Sequence, residues 1–260
     1  MPTTWVRFFD EGQYHWGQLH GDWIQVFTGS PLDATRPCGP HPTIERLPLA
    51  TTTLAPPCQP SKIVCVGRNY REHARELGHA VPTTPLFFLK PPSSLLAPGG
   101  EIELPPLSRQ VEHEGELGIV ISRRCRKLAA ETDVRPYIFG ITCVNDVTAR
   151  DLQNSDPQWT RAKGFDTFCP IGPVVVASTD TADLTIETRV NGELRQQGHT
   201  RDFIFSLPQV FAAITAVMTL EPGDIIATGT PAGVGPLRDG DTVEVSIAGI
   251  GKLVNRCRAT

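Results

Sequence analysis

The sequence predicts an α+β protein, dominated by a mixed or antiparallel β core and carrying few helices. Three observations lead there. Short apolar stretches alternate with polar residues at the period of two that a half-buried strand requires, as in Trp5-Val6-Arg7-Phe8 and Thr242-Val243-Glu244-Val245. Turn chemistry such as Glu11-Gly12, Gly21-Asp22 and Glu221-Pro222-Gly223-Asp224 falls between those stretches. Finally, 24 prolines and 23 glycines among 260 residues interrupt the chain too often for a helical bundle.

In chain order, 5–8, 14–19 and 23–27 read as a small antiparallel meander. A Pro/Thr-rich connector over 37–60, opening at Pro37, divides a small N-terminal β domain (1–57) from a larger domain (58–260). Strands are expected at 62–67, 86–89, 117–121, 225–227, 242–247 and 252–254. A helix of about two turns is expected over 70–77, with Asn69 as N-cap, Glu72 completing a capping box and Gly78 as C-cap. A further helix opens near Asp146. The clearest begins at Ser206, with Gln209 completing its capping box and Val210, Phe211, Ile214, Val217 and Met218 forming its apolar face.

Composition excludes several classes of function. A net charge of −4 with no concentrated basic surface speaks against nucleic acid. No stretch approaches the roughly 18 apolar residues that span a bilayer, and the start, Met1-Pro2-Thr3-Thr4-Trp5 followed by Arg7 and Asp10-Glu11, lacks the apolar centre of a signal peptide. Seven cysteines stand singly, with no C-x-x-C, as small hydrophobes of a reducing cytosol do. The expectation is a soluble cytoplasmic protein.

Five segments are candidates for chemistry. In Val111-Glu112-His113-Glu114-Gly115-Glu116, a strand places Glu114 and Glu116 on one face, Cα atoms roughly 6.5–7 Å apart. Their repulsion grows as water is excluded, and a hard divalent cation relieves it; a solvent-facing strand end is the alternative. On a helix, Asp146, Arg150 and Gln153 fall at i, i+4 and i+7, which suits a metal beside an anionic ligand, or an exposed Asp–Arg pair. Lys163 lies among Trp159, Phe165 and Phe168, either buried against carboxylates or with its stem on the rings and its ammonium in water. His73 and Glu76, three apart, form a general-base pair or a surface pair. The glycine-rich 227–235 turn offers backbone N–H groups and the Thr230 hydroxyl to a carboxylate, or is a plain β-turn. It matches neither nucleotide-binding glycine fingerprint, so no nucleotide cofactor is expected.

Read in succession, the chain carries G-R-N-Y-x-x-H-x-x-E (67–76), E-x-E (114–116), N-D-x-x-A-R-D (145–151), W-x-x-A-K-x-F-D-x-F-x-P-x-G-P (159–173) and T-G-T-P-x-G-V-G (228–235). That succession resembles the fumarylacetoacetate hydrolase family over about 60–258. The resemblance implies a mixed β-roll catalytic domain behind a small N-terminal antiparallel β domain, a homodimer, and one Mg2+ or Mn2+ held by Glu114, Glu116 and Asp146. It further implies that Lys163 balances those carboxylates, and that Arg150 and Gln153 contact the substrate near the metal. Thr230 and the Gly229 backbone bind its carboxylate end, and Tyr70 lines the pocket. The 64–67 stretch lacks the further aspartate of fumarylacetoacetate hydrolase itself, which disfavours the tyrosine-degradation activity. His73 with Glu76 instead resembles the lid segment of the acylpyruvase, oxaloacetate decarboxylase and 2-hydroxyhepta-2,4-diene-1,7-dioate isomerase branch.

The activity so implied is cleavage of a C–C bond in a small 2-oxo acid through a metal-stabilised enolate, by acylpyruvate hydrolysis or oxaloacetate decarboxylation. His73, oriented by Glu76, would deprotonate the attacking water. The alternative is tautomerisation of a 2-hydroxy-dienoic acid in aromatic catabolism. A non-catalytic metal- or ligand-binding relative, the reading from another class, is expected to lack a ligand or the base, and this chain has them all.

Overall fold

The fold, taken from a computed structural model, is described over residues 2–33 and 39–260. The main sheet follows one path in the order His41–Pro48, Trp23–Thr28, Gln13–His20, Thr4–Asp10, Cys169–Val176, Ile138–Asn145, Gly115–Ile121, Ile225–Ala227, Ile63–Gly67 and Leu86–Lys90. A second sheet runs Glu193–His199, Thr185–Val190, Thr242–Ile247, Gly251–Ala259 and Glu101–Leu104. A small third sheet joins Thr148–Ala149, Val111–His113 and Gly235–Pro236. Pairing is antiparallel except where Ile225–Ala227 runs with Ile63–Gly67, Gly251–Ala259 with Glu101–Leu104, and Leu95–Leu96 with the start of Cys169–Val176. The expected β-dominated α+β class, with mixed sheets, is what the chain adopts.

The meander forms as its turns require. Glu11 (φ 44°) and Gly12 (φ 80°) both hold positive φ, the condition for the two-residue turn whose twist matches its flanking strands. The meander does not stand apart, because Thr4 pairs with Val176 and Trp5 with Val175, continuing it into the main sheet. The connector is a correction. Its opening residue, Pro37, lies outside the described residues, but His41–Pro48 is a full strand on Trp23–Thr28, and Thr53–Leu54 pairs with Thr4–Asp10. Pro42 and Pro48 disguise that strand, and they are tolerated because it is an edge.

Gly115–Ile121 is buried at every position. Leu117, Ile119 and Ile121 point into one core with Val210, Phe211 and Ile214, while Val120 joins Val144, Trp5 and Cys65 on the other face. The helix supplying the first group, Leu207–Val217, starts as expected: the Gln209 side chain accepts the Ser206 N–H at 2.9 Å. Its apolar face is shorter than expected. Val217 is 70% exposed, and Met218 has already left the helix for an extended conformation. The six described cysteines are buried and unpaired, with burial pushing the Cys125 thiol up to about 11; Cys38 lies outside the described residues. No helix among the described residues is long and apolar enough to cross a membrane.

Two expected helix starts are corrected. The helix after the first core strand is Arg71–Glu76, and it ends as expected, with Gly78 (φ 71°) donating to the Arg75 carbonyl at 2.9 Å. Asn69 does not cap it. Its buried amide donates to the Thr228 carbonyl at 2.9 Å and accepts the Phe205 N–H at 2.8 Å, tying three distant segments together. The second helix is Arg150–Ser155, so Asp146 precedes it, because Thr148–Ala149 is drawn into pairing with Val111–His113. Replacing Asn69 by Ala leaves a buried carbonyl and a buried N–H without partners. Its expected cost is about 2–4 kcal/mol of unfolding free energy, read from urea denaturation; an unchanged midpoint would show that the clamp is idle.

Candidate functional site

The acidic cluster arises where two neighbouring strands change sheets together. Gly115–Ile121 and Ile138–Asn145 pair in the main sheet, with Gly115 opposite Asn145. One step beyond, Val111–His113 and Thr148–Ala149 pair in the small sheet, with Glu112 opposite Thr148. Glu114 and Asp146 sit in the gap. The Glu114 N–H donates to Asn145 Oδ1 at 3.0 Å, and the Glu114 carbonyl accepts the Asp146 N–H at 2.8 Å. Glu116 follows on the same strand face. Oxygens of Glu114, Glu116 and Asp146 thus lie within 4.8 Å of one another, all three residues buried.

Buried cations answer this charge. Lys163 Nζ donates to Glu114 Oε2 at 2.9 Å and Asp146 Oδ2 at 2.7 Å. Lys163 is 1% exposed, which rules out an ammonium in water; its aromatic neighbour is Phe88, whose ring centroid lies 4.9 Å from Nζ. Lys90 Nζ donates to Asp146 Oδ1 at 2.7 Å and the Val147 carbonyl at 3.0 Å. Arg150 donates to Glu112 Oε2 at 2.7 Å through Nε, and also to Glu114 and Gln153. Burial alone would push the Glu114 carboxyl up, but the Lys163 and Arg150 charges outweigh it and hold Glu114 well below the usual carboxylate range.

Glu116 behaves oppositely. It is 1% exposed, and among the described residues it forms no ion pair and accepts the Gly229 N–H at 2.8 Å. Burial first, then the charges of Asp146 and Glu114, push its carboxyl well above the usual range. Four carboxylates (Glu112, Glu114, Glu116 and Asp146) therefore face three cations, and the uncompensated one is Glu116. Hard oxygen donors at this spacing, one of them unneutralised, suit a hard divalent cation.

A cavity of about 170 Å3 opens over the cluster, lined by Glu114, Glu116, Asp146, Lys163, Arg150, Gln153, His73 and Thr230 among others. His73 is buried, and its Nδ1 lies 3.1 Å from Glu76 Oε2, while Glu76 Oε1 accepts the Gly233 N–H at 2.9 Å. The two ends of Glu76 thereby bind the imidazole to the glycine-rich turn. Three expectations need correction. Tyr70 does not line this cavity; its ring packs against Phe203, centroids 5.3 Å apart, and borders a neighbouring recess. The Gly229 N–H is spent on Glu116; its φ of 99° and an approach that would put a Cβ 2.7 Å from that of Asn69 make glycine necessary there. Thr230 does line the cavity, but its hydroxyl donates to the Gly115 carbonyl at 2.9 Å and accepts Gln196 Nε2 at 2.7 Å.

Sequence reasoning passed over Lys90, Glu112, Asn145 and Gln196. Lys90 had one visible signal, a charge closing the apolar run Leu86-Phe87-Phe88-Leu89. Gln196 had none, because it comes from the second sheet to accept the Gly115 N–H at 3.0 Å. Replacing Lys90 by Met strips a buried carboxylate of one partner, with an expected loss of about 3–5 kcal/mol of stability. Urea unfolding measures it, and a variant as stable as the parent would refute the assigned pairing.

The comparisons with known proteins identify the family. The sequence profile described as Fumarylacetoacetate (FAA) hydrolase C-terminal matches residues 62–258, and one described as Rv2993c-like, N-terminal matches residues 4–57. The oxaloacetate tautomerase YisK of Bacillus subtilis is 44% identical over 216 residues, 78% of this chain and 71% of that protein. The mitochondrial oxaloacetate tautomerase of Arabidopsis thaliana is 45% identical over 201 residues, 75% of this chain and 90% of that protein. A crystal structure of 2-hydroxyhepta-2,4-diene-1,7-dioate isomerase from Mycobacterium marinum superposes with a TM-score of 0.89 at 40% identity, covering 99% of each chain. By sequence and by fold alike, the chain belongs to the fumarylacetoacetate hydrolase family.

Proposed function

We propose that this protein is a divalent-metal-dependent enzyme that moves a proton between the enol and keto forms of a small 2-oxo acid. The observation carrying this reading is that a carboxylate cluster with one member, Glu116, left uncompensated and a glutamate-oriented imidazole line one cavity. The tautomerase and isomerase names of the relatives support it. Glu114, Glu116 and Asp146 would hold a Mg2+ or Mn2+ ion, which when bound supplies Lewis acidity toward the keto and carboxylate oxygens of a 2-oxo acid.

The chain's own groups do the rest. Glu76 accepts a hydrogen bond from the Nδ1–H of His73, which leaves the Nε2 lone pair as the base. That nitrogen removes a proton from the carbon beside the keto group while the keto oxygen gains a proton from water, giving the enol; in the reverse direction the oxygen loses its proton to water and the imidazole returns one to carbon. Lys163 holds Glu114 and Asp146 in place and keeps Glu114 ionised. Arg150, anchored by Glu112, and Gln153 present N–H groups toward substrate oxygens. The Arg71–Glu76 helix is too short to be stable alone, so docking through Glu76 onto Gly233 suits a segment that closes over substrate. A second reading is hydrolytic or decarboxylating C–C cleavage; the hydrolytic form needs a water beside the acid, and a cavity of about 170 Å3 has room for one.

The test is deuterium uptake at C3 of oxaloacetate in D2O, followed by NMR with Mg2+ present. His73→Gln should slow exchange by about 10²–10⁴-fold while leaving Mn2+ binding, read by calorimetry, within about twofold. Glu116→Gln should abolish Mn2+ binding. Undiminished exchange in the His73 variant overturns the assigned base, and pyruvate released faster than deuterium is incorporated favours cleavage.

A further inference from the structure

Arg150 brings one guanidinium to three different residues. Nε donates to Glu112 Oε2 at 2.7 Å, Nη2 to Glu114 Oε1, and Nη1 to the Gln153 side chain. Nε and Nη2 form a planar edge that ordinarily grips a single carboxylate through two parallel bonds. Here that edge is divided between two carboxylates, so Glu114 receives one bond where it could receive two. Its other oxygen accepts Lys163 Nζ at 2.9 Å. An ionised carboxylate offers about four lone-pair sites, and each Glu114 oxygen therefore keeps one for a further partner.

Glu112 is held where this division requires it. It lies on the central strand of the small sheet, opposite Thr148 on one side and Pro236 on the other. Its second oxygen, Oε1, accepts Gln110 Nε2 at 2.6 Å. The Gln110 carbonyl accepts the Arg150 N–H at 2.7 Å, so acid and guanidinium are tied to the same strand. Both residues are buried, where a lost partner is not replaced cheaply by water. Glu112 borders an adjoining recess and not the cavity itself, so its influence on the acidic cluster passes through Arg150. Without its carboxylate, the Nε–Nη2 edge is free to close on Glu114 with both bonds and compete for the oxygens a cation needs.

We infer that Glu112 is a positioning residue for the cation site: by holding Nε of Arg150 it keeps the guanidinium from closing on Glu114 and leaves that carboxylate open to a divalent ion. The inference rests on the proposed ion at Glu114, Glu116 and Asp146, and is independent of which reaction the cavity performs.

The test is Mn2+ affinity, read by calorimetry on the full chain, in variants that separate the acceptor at 112 from its charge. Glu112→Leu removes both and should weaken binding about 10–100-fold. Glu112→Gln removes the charge but leaves an oxygen for Nε, and should stay within about threefold of the parent. In an Arg150→Met background, Glu112→Leu should change the affinity by less than about twofold, because no guanidinium remains to be held. Equal losses for leucine and glutamine, or the same loss with Arg150 replaced, would assign the effect to charge alone and overturn the inference. A leucine variant with parental affinity overturns it too. Thermal midpoints show whether each variant folds. A crystal structure of the Mn2+-loaded parent needs no variant: Nε should remain on Glu112 while Glu114 binds the ion, and a guanidinium that leaves Glu112 overturns the inference. A parent that binds no Mn2+ removes the metal reading, and this inference with it.

Discussion

Glu114 and Asp146 meet because two paired strands leave the main sheet at the same step, and the rest of the site is an answer to that meeting. The Glu114 carbonyl takes the Asp146 N–H, and Asn145 takes the Glu114 N–H, so the backbone fixes the approach before any side chain acts. Charge forced together in a dry place must be paired or diluted. Lys163 pairs by bridging the two strands, Lys90 reaches in from the sheet's far edge, and Arg150 holds Glu112 and Glu114 at once. Glu116 lies outside that pairing, and an added cation has most to offer there.

A second network fixes the same segment from the opposite side. Gln196 accepts the Gly115 N–H and donates to the Pro231 carbonyl and to Thr230, so two backbone groups dictate which end of its amide is oxygen. That orientation decides a proton elsewhere. His113 Nδ1, 3.0 Å from Gln196 Oε1, must carry hydrogen to bond an acceptor, leaving Nε2 bare. Burial holds the imidazole below its ordinary range and so keeps it neutral beside Glu112 and Glu114. The second sheet therefore takes part in the site without lining the cavity through Gln196.

Much of this was legible in residue order, and the failures have physical causes. Strands with clean alternation, the Glu11-Gly12 turn and the Ser206–Gln209 cap were readable because each is decided by residues within a few positions. The acidic triad was readable through its succession with the other segments, since E-x-E alone has an ordinary surface meaning. Local logic misled where a distant strand intervened. Asp146 reads as the start of a helix until Thr148–Ala149 is claimed by Val111–His113. Asn69 reads as a cap until Phe205 and Thr228 claim its amide. Tyr70 shares a motif with the cavity-lining His73 but faces away, because it precedes the helix in an extended conformation and is bridged to Phe203, on which its ring packs. Lys90 and Gln196 come from segments with no sequence proximity to the acids they serve.

The junction of the N-terminal meander with the main sheet also covers a strand edge. Along Cys169–Val176, one flank is covered in two pieces: Leu95–Leu96 at its start, and Thr4 with Trp5 at its end. Neither piece is long enough to seal that flank alone. A chain shortened at its N-terminus would uncover unpaired backbone N–H and C=O groups at Val175 and Val176, and with them the indole contacts of Trp5 with Trp16 and Phe27. Such a raw margin invites other chains to pair with it, so the opening strand serves as a seal against self-association.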